Sequence, residues 1–351
     1  MLLSCPLMQT GLPIERKDTR PPPLTLRGVT FDPPLFCAPM VEITHSAFRR
    51  LLADFGGYGA LFTEMLSDTM LLRENLLHSP WTRRRPTEHR LIYQLLVTNP
   101  DRLPSVIDHL LTMAPDAVDL NAACGAYTVC RFGAGAALCN EHERFQQVVR
   151  ILRNRLSIPF TVKLRLGRET PDWRKRLRER LHILAEEGVD AVILHPRFVE
   201  EKFKRSARHA LYPELAAEAG IPVIANGDIT GREYGEARAA DFAPTAGMMI
   251  GRMAACRPWI FAQWNHPGLM VDPFEVWTRL ADYIEEDFPR PAPALARIKI
   301  FTTYYARNFA FGHTLFSGVQ SAPDFRTARE RAARFFESNP ALCDLPMLRG
   351  I

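Results

Sequence analysis

The chain has 351 residues, 47% of them hydrophobic and 24% charged, with a formal net charge of +5. That length can bury a large core and form two domains, and no apolar run approaches the ~20 residues of a membrane helix. Seven cysteines without a CxxC pair argue against a disulfide scaffold and against zinc or iron–sulfur ligation, and Met1–Cys5 lacks the basic and apolar regions of a signal peptide, so a cytoplasmic protein without metal is expected.

Residues 1–30 read as irregular, because RPPPL at Arg20–Leu24 precludes a helix. A strap or small hairpin at the base of the following domain is expected, and 1–32 is set apart as an N-terminal extension. Eight short apolar segments then follow: Leu35–Met40, Ala60–Thr63, Leu91–Leu95, Ala117–Asn121, Pro159–Lys163, Ala191–His195, Pro222–Asn226 and Gly247–Ile250. Helical patterns separate most of them. Eight β-then-α units predict a parallel (β/α)8 TIM barrel over 33–265, with its active site at the C-terminal ends of the strands.

His266–Pro273 is rich in turn formers and reads as a linker. Beyond it strand signals stop, and apolar residues recur at helical spacing through 272–351. A small C-terminal helical domain is predicted, with Asp324 placed to cap the N-terminus of its last helix.

Three basic segments, Arg83–Arg90, Arg165–Arg180 and Arg197–His209, follow predicted strands two, five and six. Each is expected to begin on the catalytic face. A polyanion docking there and a merely solvated set of charged helices fit the charge pattern equally well. In the C-terminal segment acidic residues come early (Asp282, Glu285, Glu286, Asp287) and basic ones late, Arg326, Arg329, Arg331 and Arg334 among them. A basic face for a polyanion and ion pairing between helices both remain open.

The strand ends gather Pro39, Met40, Gln94, Asn121, Lys163, His195 and Asn226. After strands seven and eight come ANGD and IGR, where barrels bind phosphate through backbone N–H groups and glycines. Asn226, Gly227, Gly251 and Arg252 fit that role, and a phosphate there would anchor a cofactor whose ring reaches the barrel axis. Flavin mononucleotide (FMN) fits the remaining inventory. Pro39 and Met40 would flank the ring, Gln94 would bond its pyrimidine edge, Lys163 would set a cation beside N1 and O2, and His195 would complete the site. Cys124 lies three residues past Asn121. A thiol is mostly protonated at neutral pH and can give a proton beside a hydride donor.

These segments, in this order, resemble the tRNA-dihydrouridine synthase family. The likeness is carried by CAPMVEITHSAFRRLL (Cys37–Leu52), LFTEM, YQLLVTNPDRL, DLNAACG with GAGAAL, PFTVKLRLG (Pro159–Gly167), LHPR, IPVIANGDI and IGR…PWIF. The tail Arg307–Glu330 is similar to that family's RNA-binding helices. The resemblance implies FMN, with NADPH as reductant, and reduction of uridine in tRNA to 5,6-dihydrouridine; a monomer is expected. Hydride would go to C6, and Cys124 would give the proton to C5. It implies cofactor contacts at Pro39, Met40, Gln94, Lys163, His195, Asn226, Gly227, Asp228, Gly251 and Arg252. It implies substrate contacts at Asn121, Lys163, Arg165 and Arg197, with Arg326 and Arg329 gripping RNA from the tail.

Two departures from the family pattern stand out. Around its cysteine the family reads N-x-G-C-P, whereas this chain has Ala123 for the glycine and Gly125 for the proline; and Pro196 replaces a glycine after strand six. Glycine for proline frees the loop that carries the thiol. Two other functions stay open on this basis: a non-catalytic or altered-specificity RNA-binding relative, and a flavin reductase of a free small molecule.

Overall fold

The computed structural model describes residues 22–348. Strands β1 (Leu24–Leu26) and β2 (Val29–Phe31) pair antiparallel around Arg27–Gly28, whose φ angles are both positive, 43° and 79°. Two such residues make the turn that matches hairpin twist. Leu24, Leu26 and Phe31 are buried against Phe36, Phe62, Ile92, Ile193, Ile224 and Met249. The hairpin therefore plugs the base of the barrel, and Arg27 Nε fastens it to Asp190 at 2.7 Å. Residues 1–21, with the Met1–Cys5 segment, lie outside the described residues.

Eight parallel strands follow: β3 (Leu35–Cys37), β4 (Leu61–Ser67), β5 (Leu91–Leu96), β6 (Ala117–Ala122), β7 (Phe160–Gly167), β8 (Ala191–Phe198), β9 (Val223–Asn226) and β10 (Gly247–Ile250). Their hydrogen-bonded order is β3-β10-β9-β8-β7-β6-β5-β4, and a parallel bridge between Phe36 and Ala60 brings the two edge strands together. This is the barrel the eight apolar segments predict. Two strands run longer than expected, so Arg165 and Arg197 sit within β7 and β8 and not in the loops after them.

Alternation along the strands sorts the side chains. Residues such as Val118, Leu120, Val162, Leu164, Val192 and Leu194 join the large apolar cluster that includes the surrounding helices. Their neighbours point into the lumen, because strand side chains alternate with period two. At the base the lumen is apolar: Phe36, Phe62, Ile92, Ile193, Ile224 and Met249. One step up it turns polar, with Gln94, Asp119 and Thr161 all buried. Near the mouth it carries Asn121, Lys163, His195, Asn226, Arg165 and Arg197.

Residues 72–90 make a long excursion before β5, held by an ion pair whose two side chains are fully buried, Arg49 Nε to Glu88 at 3.0 Å. Arg49 also donates to the carbonyls of Thr44 (2.7 Å) and Arg83 (2.6 Å), which satisfies the guanidinium that burial would otherwise strand. This segment corrects one sequence expectation. Arg83–Arg90 does not begin on the catalytic face. Arg84 and Arg90 pair with Asp116, just before β6, at the base (2.7 Å each). Arg83 and Arg85 bind Asp287 of the C-terminal helices. Their charges are neutralised inside the fold.

The C-terminal helices are Pro273–Asp287, Pro291–Tyr305, His313–Gln320 and Phe325–Glu337. Asp324 does cap the last of them, accepting from Thr327 N at 2.7 Å. Helix Pro273–Asp287 packs against the barrel helix Ser46–Phe55. Arg50 Nη1 reaches Glu286 (2.6 Å), and its guanidinium lies 3.8 Å from the centre of the Tyr283 ring. Residues 341–348 then turn back toward the barrel, where Arg252 Nη1 donates to Leu348 O at 2.8 Å. Among the described residues no helix is long and apolar enough to cross a membrane.

Candidate active site

The barrel mouth opens into a cavity of about 1520 Å³. Single-ligand pockets typically measure ~300–1,000 Å³, so this one has room for a cofactor and a second ring. Fourteen of the sixteen residues proposed from sequence line it: Pro39, Met40, Gln94, Asn121, Cys124, Lys163, Arg165, His195, Arg197, Asn226, Gly227, Asp228, Gly251 and Arg252. Arg326 and Arg329 do not.

Those two arginines lie on helix Phe325–Glu337 and are occupied elsewhere. Arg326 pairs with Glu330 one turn away (2.9 Å), and Arg329 reaches Asp282 (2.6 Å) and Glu285 (2.5 Å) on helix Pro273–Asp287. For Arg329, ion pairing between helices is the arrangement adopted. The early acidic and late basic runs of the tail face each other there.

Lys163 stands at the centre. Its Nζ donates to Asn226 Oδ1 at 2.9 Å, and Asn226 Nδ2 donates to Met249 O at 2.9 Å. Tyr212 completes the frame, its hydroxyl donating to the carbonyls of Leu194 and Asn226 and accepting from Asn226 N. Burial, reinforced by Arg165, brings the Lys163 ammonium down to about 8. Burial and Arg197 likewise lower Arg165 to about 10. Burial and neighbouring like charges both disfavour the charged form of a cation.

His195 is buried, and desolvation with four surrounding cations holds it well below its usual value. The ring is therefore neutral. Arg197 Nη1 lies 2.9 Å from His195 Nε2. A guanidinium only donates, so Nε2 accepts and the proton sits on Nδ1.

Asp228 lines the cavity, but its carboxylate does not face an open anion site. Arg197 Nη2 (2.5 Å) and the Ala207 N–H (2.8 Å) bind one oxygen, and Arg252 Nη2 (3.1 Å) binds the other. Burial pushes Asp228 up, yet these partners outweigh it and hold it below the usual carboxylate value. Its work is to set two arginines side by side. Phe203 lies among them, its ring centre 4.5 Å from the Arg252 guanidinium and 5.4 Å from that of Arg165.

Gly227, with φ 108°, precedes Asp228, with φ 51°. A Cβ on Gly227 would lie 2.7 Å from His195 Cδ2. Gly227 O accepts from His209 Nε2 at 2.7 Å, which fixes the turn. Gly227→Ala should therefore destabilise the fold by about 1–3 kcal/mol. Urea unfolding would show this as a lower midpoint at unchanged slope; an unmoved midpoint would mean that the turn bears no strain.

Cys124 is half-buried on the loop after β6. The backbone N–H of Cys124 donates to Asn121 Oδ1 at 3.0 Å. Burial raises its thiol above the ordinary value, so the sulfur keeps its proton. The structure also accounts for Gly125: a Cβ there would lie 2.5 Å from Val199 Cγ1. Val199, after β8, fills the space a proline ring would need, so the Gly125 departure has its steric counterpart across the loop.

Several site residues escaped the sequence reading. Asp119 holds Gln94 from below; burial pushes it up to about 7, against the bonds from Thr161 and Gln94 and the charge of Lys163. Its position two residues before Asn121 on one strand face was a readable signal. Tyr212, buried behind Asn226, and Phe203 and the tail residues Leu345–Leu348, which line the same cavity, offered none.

The cofactor expected from the sequence is FMN. The lining carries eight cationic side chains, Lys163, Arg165, Arg197, Lys202, Arg205, Arg208, Arg238 and Arg252, against two acids, Asp228 and Asp241, and Glu201 just behind it pairs with Arg205 and Arg208. Glycine at 227 lets the turn pack directly against His195 and Ala207, where a Cβ would clash. Gln94 and Lys163 stand deeper in the lumen, both buried. The residues present fit an anionic, ring-bearing cofactor. Among the described residues no cluster suited to a metal ion occurs.

The family model described as dihydrouridine synthase matches residues 36–310. Among curated proteins the chain is similar to "tRNA-dihydrouridine(47) synthase [NAD(P)(+)]-like" of Mus musculus, at 33% identity over 232 residues, 65% of this chain and 36% of that protein. It is similar to "tRNA-dihydrouridine synthase B" of Yersinia pestis, at 30% identity over 320 residues, 84% of this chain and 94% of that one. The chain thus spans about a third of the mouse relative's length and nearly all of the bacterial one's. Among solved structures it resembles an old yellow enzyme homologue from Zymomonas mobilis, with TM-score 0.51, 14% identity, and coverage of 74% of this chain and 98% of that one. It also resembles the old yellow enzyme from Trypanosoma cruzi, with TM-score 0.53, 9% identity, and coverage of 76% and 97%. At such identities these two speak for the fold alone.

Proposed function

This chain belongs to the dihydrouridine synthase family, and we propose that it reduces uridine in tRNA to 5,6-dihydrouridine, using FMN with NADPH as the source of electrons. The observation that carries the proposal is the meeting of Asn121, Cys124, Lys163 and Arg165 on one wall of a cavity larger than a cofactor needs. A flavin bound here supplies hydride to C6 of the pyrimidine. The rest falls to the protein's own groups. Arg252, Arg197 and the Gly227 turn would hold the phosphate, Pro39 and Met40 the ring, and Gln94 its pyrimidine edge. Lys163 would place its ammonium beside the N1 and O2 edge. Asn121 and Arg165 would orient the uracil, and the protonated Cys124 thiol would deliver its proton to C5.

The excess of cations along the cleft favours a polyanionic substrate over a free small molecule. A retained, protonated Cys124 at the wall favours an active enzyme over a silent RNA-binding relative. Because Arg329 is spent on Asp282 and Glu285, the grip on RNA is assigned first to the cleft cations and only then to the tail (272–351). One copy supplies every residue of the site, so a monomer acting in the cytoplasm suffices.

The test is direct. Purified protein with FMN and NADPH is given unmodified tRNA, and dihydrouridine is measured by mass spectrometry of the nucleosides. Product on tRNA and none from free uridine is expected, with tRNA affinity falling steeply as salt rises. Reduction of free uridine at the same efficiency would overturn the tRNA assignment.

A further inference from the structure

We propose that Asp119 is a positioning residue: its carboxylate sets the direction of a buried hydrogen-bond chain that runs through Gln94 and Asn121 to the backbone of the Cys124 loop. The catalytic meaning of this chain rests on the function proposed above; the geometry does not.

Asp119 is fully buried in the lumen, paired in register with Gln94 of β5 and Thr161 of β7. Thr161 Oγ1 donates to Asp119 Oδ1 at 2.6 Å, and Gln94 Nε2 donates to Asp119 Oδ2 at 2.7 Å. Gln94 Oε1 then accepts from Asn121 Nδ2 at 2.8 Å. Asn121 Oδ1 accepts from the backbone N–H of Cys124 (3.0 Å) and of Ala123 (3.2 Å).

A side-chain amide can be turned end for end with almost no change of shape, so shape alone does not orient Gln94 or Asn121. The ends of the chain do. At the bottom is Asp119, whose Oδ2 accepts from Gln94, while Oδ1, with or without a proton, faces a Thr161 hydroxyl that can donate or accept. At the top are backbone N–H groups that only donate. Turning either amide would set donor against donor or acceptor against acceptor between buried side chains, where an unmade hydrogen bond is costly. The direction is therefore imposed from both ends, and the two ends agree.

Two consequences follow for the site. The remaining N–H of Gln94 and the remaining lone pair of its oxygen have fixed places, so a ring edge meets a donor and an acceptor in one order only. The loop bearing the thiol is also tied, through two side chains, to the barrel interior. That tie supplies restraint to a loop that has glycine at 125.

The experiment uses the full chain and reads the rate at which iodoacetamide alkylates Cys124, followed by peptide mass spectrometry. This rate needs neither bound flavin nor turnover; FMN affinity is measured in parallel. Asp119→Leu removes the acceptor and should speed alkylation and weaken FMN binding, each by about ten-fold or more. Asp119→Asn should keep both within about three-fold, because its carbonyl accepts from Gln94 while its amide donates to Thr161, whose hydroxyl changes from donor to acceptor. Thr161→Val alone should be mild. Combined with Asp119→Asn it should restore the about ten-fold defect, a non-additivity expected of one network.

If Asp119→Asn is as damaging as Asp119→Leu, the negative charge beside Lys163 matters and not the direction, and the proposal falls. It falls equally if Asp119→Leu stays within about three-fold, or if Thr161→Val is tolerated on top of Asp119→Asn. Should Asp119→Leu not fold, the Asp119→Asn single variant and its double with Thr161→Val decide alone. Alkylation rates do not depend on what the cleft reduces, so failure of the uridine assay and failure of this inference are separable.

Discussion

Replacing Cys124 with alanine should lower dihydrouridine formation by roughly 10²–10⁴-fold, the usual worth of a placed general acid, while FMN content and the rate of flavin reduction by NADPH stay near wild type. The reason is division of labour within the cavity. Cys124 lies on the loop after β6, tied to Asn121, and no cofactor-holding role falls to it. Burial raises its thiol, so at neutral pH it carries the proton a carbon centre requires. Among the described residues lining the cavity, two nearby groups are already engaged: His195 is held neutral with Nε2 accepting from Arg197, and the Lys163 ammonium, lowered to about 8, donates to Asn226. The assay pairs stopped-flow flavin reduction with nucleoside mass spectrometry after a single turnover. Unchanged product formation in Cys124→Ala would remove the thiol from the reaction.

Replacing Lys163 with methionine should cost about 10²-fold in turnover, the scale on which a preorganised charge facing developing negative charge is felt, and should abolish a pH dependence present in the wild type. Burial and Arg165 bring Lys163 down to about 8. The charged form is the one that attracts an anionic ligand. Raising the pH from 7 to 9 removes that charge, so FMN affinity should weaken with a midpoint near 8. Cys124 contributes nothing to this step, since its thiol is raised above its ordinary value; His195 is neutral throughout; and Asp119, pushed up to about 7, is past its own midpoint over this range. Binding and protonation are linked, so FMN should take up a fraction of a proton at pH 8. Titration calorimetry in two buffers of different ionisation enthalpy measures that fraction. A wild-type affinity that does not change between pH 7 and 9 would rule out Lys163 as the titrating contact.

The sequence carried much of this site because barrel chemistry is written in strand periodicity. Gln94, Asn121, Lys163, His195 and Asn226 each sit at or near the end of an apolar run, and alternation fixes which way they point. The same logic reaches Asp119, two positions before Asn121. Arg165 and Arg197 were readable as residues but not as strand residues. Their extension of β7 and β8 is stabilised by mutual pairing, with Arg165 opposite His195 and Gly167 opposite Phe198, and no local propensity announces it.

Charge was the least legible quantity. Arg83–Arg90 and Arg329 look free in one dimension, yet Asp116, Asp287, Asp282 and Glu285 neutralise them. Those acids lie from 26 to 204 residues away in the case of Arg90 with Asp116 and Arg83 with Asp287. Asp228 reads as a cofactor contact beside Gly227, and only folding discloses that both its oxygens are taken by arginines and a backbone N–H. Likewise Gly125 reads as a lost proline until Val199 is found filling the place of the missing ring.

Eight apolar segments with polar ends were sufficient for the barrel, the face that bears the site and most of its inner wall, because local periodicity and burial act over a few residues at a time. Which cations remain to meet a ligand was settled only in three dimensions. Charge is spent or spared by partners brought together from distant parts of the chain, and in a low-dielectric interior a few ångströms decide between an ion pair and an open site.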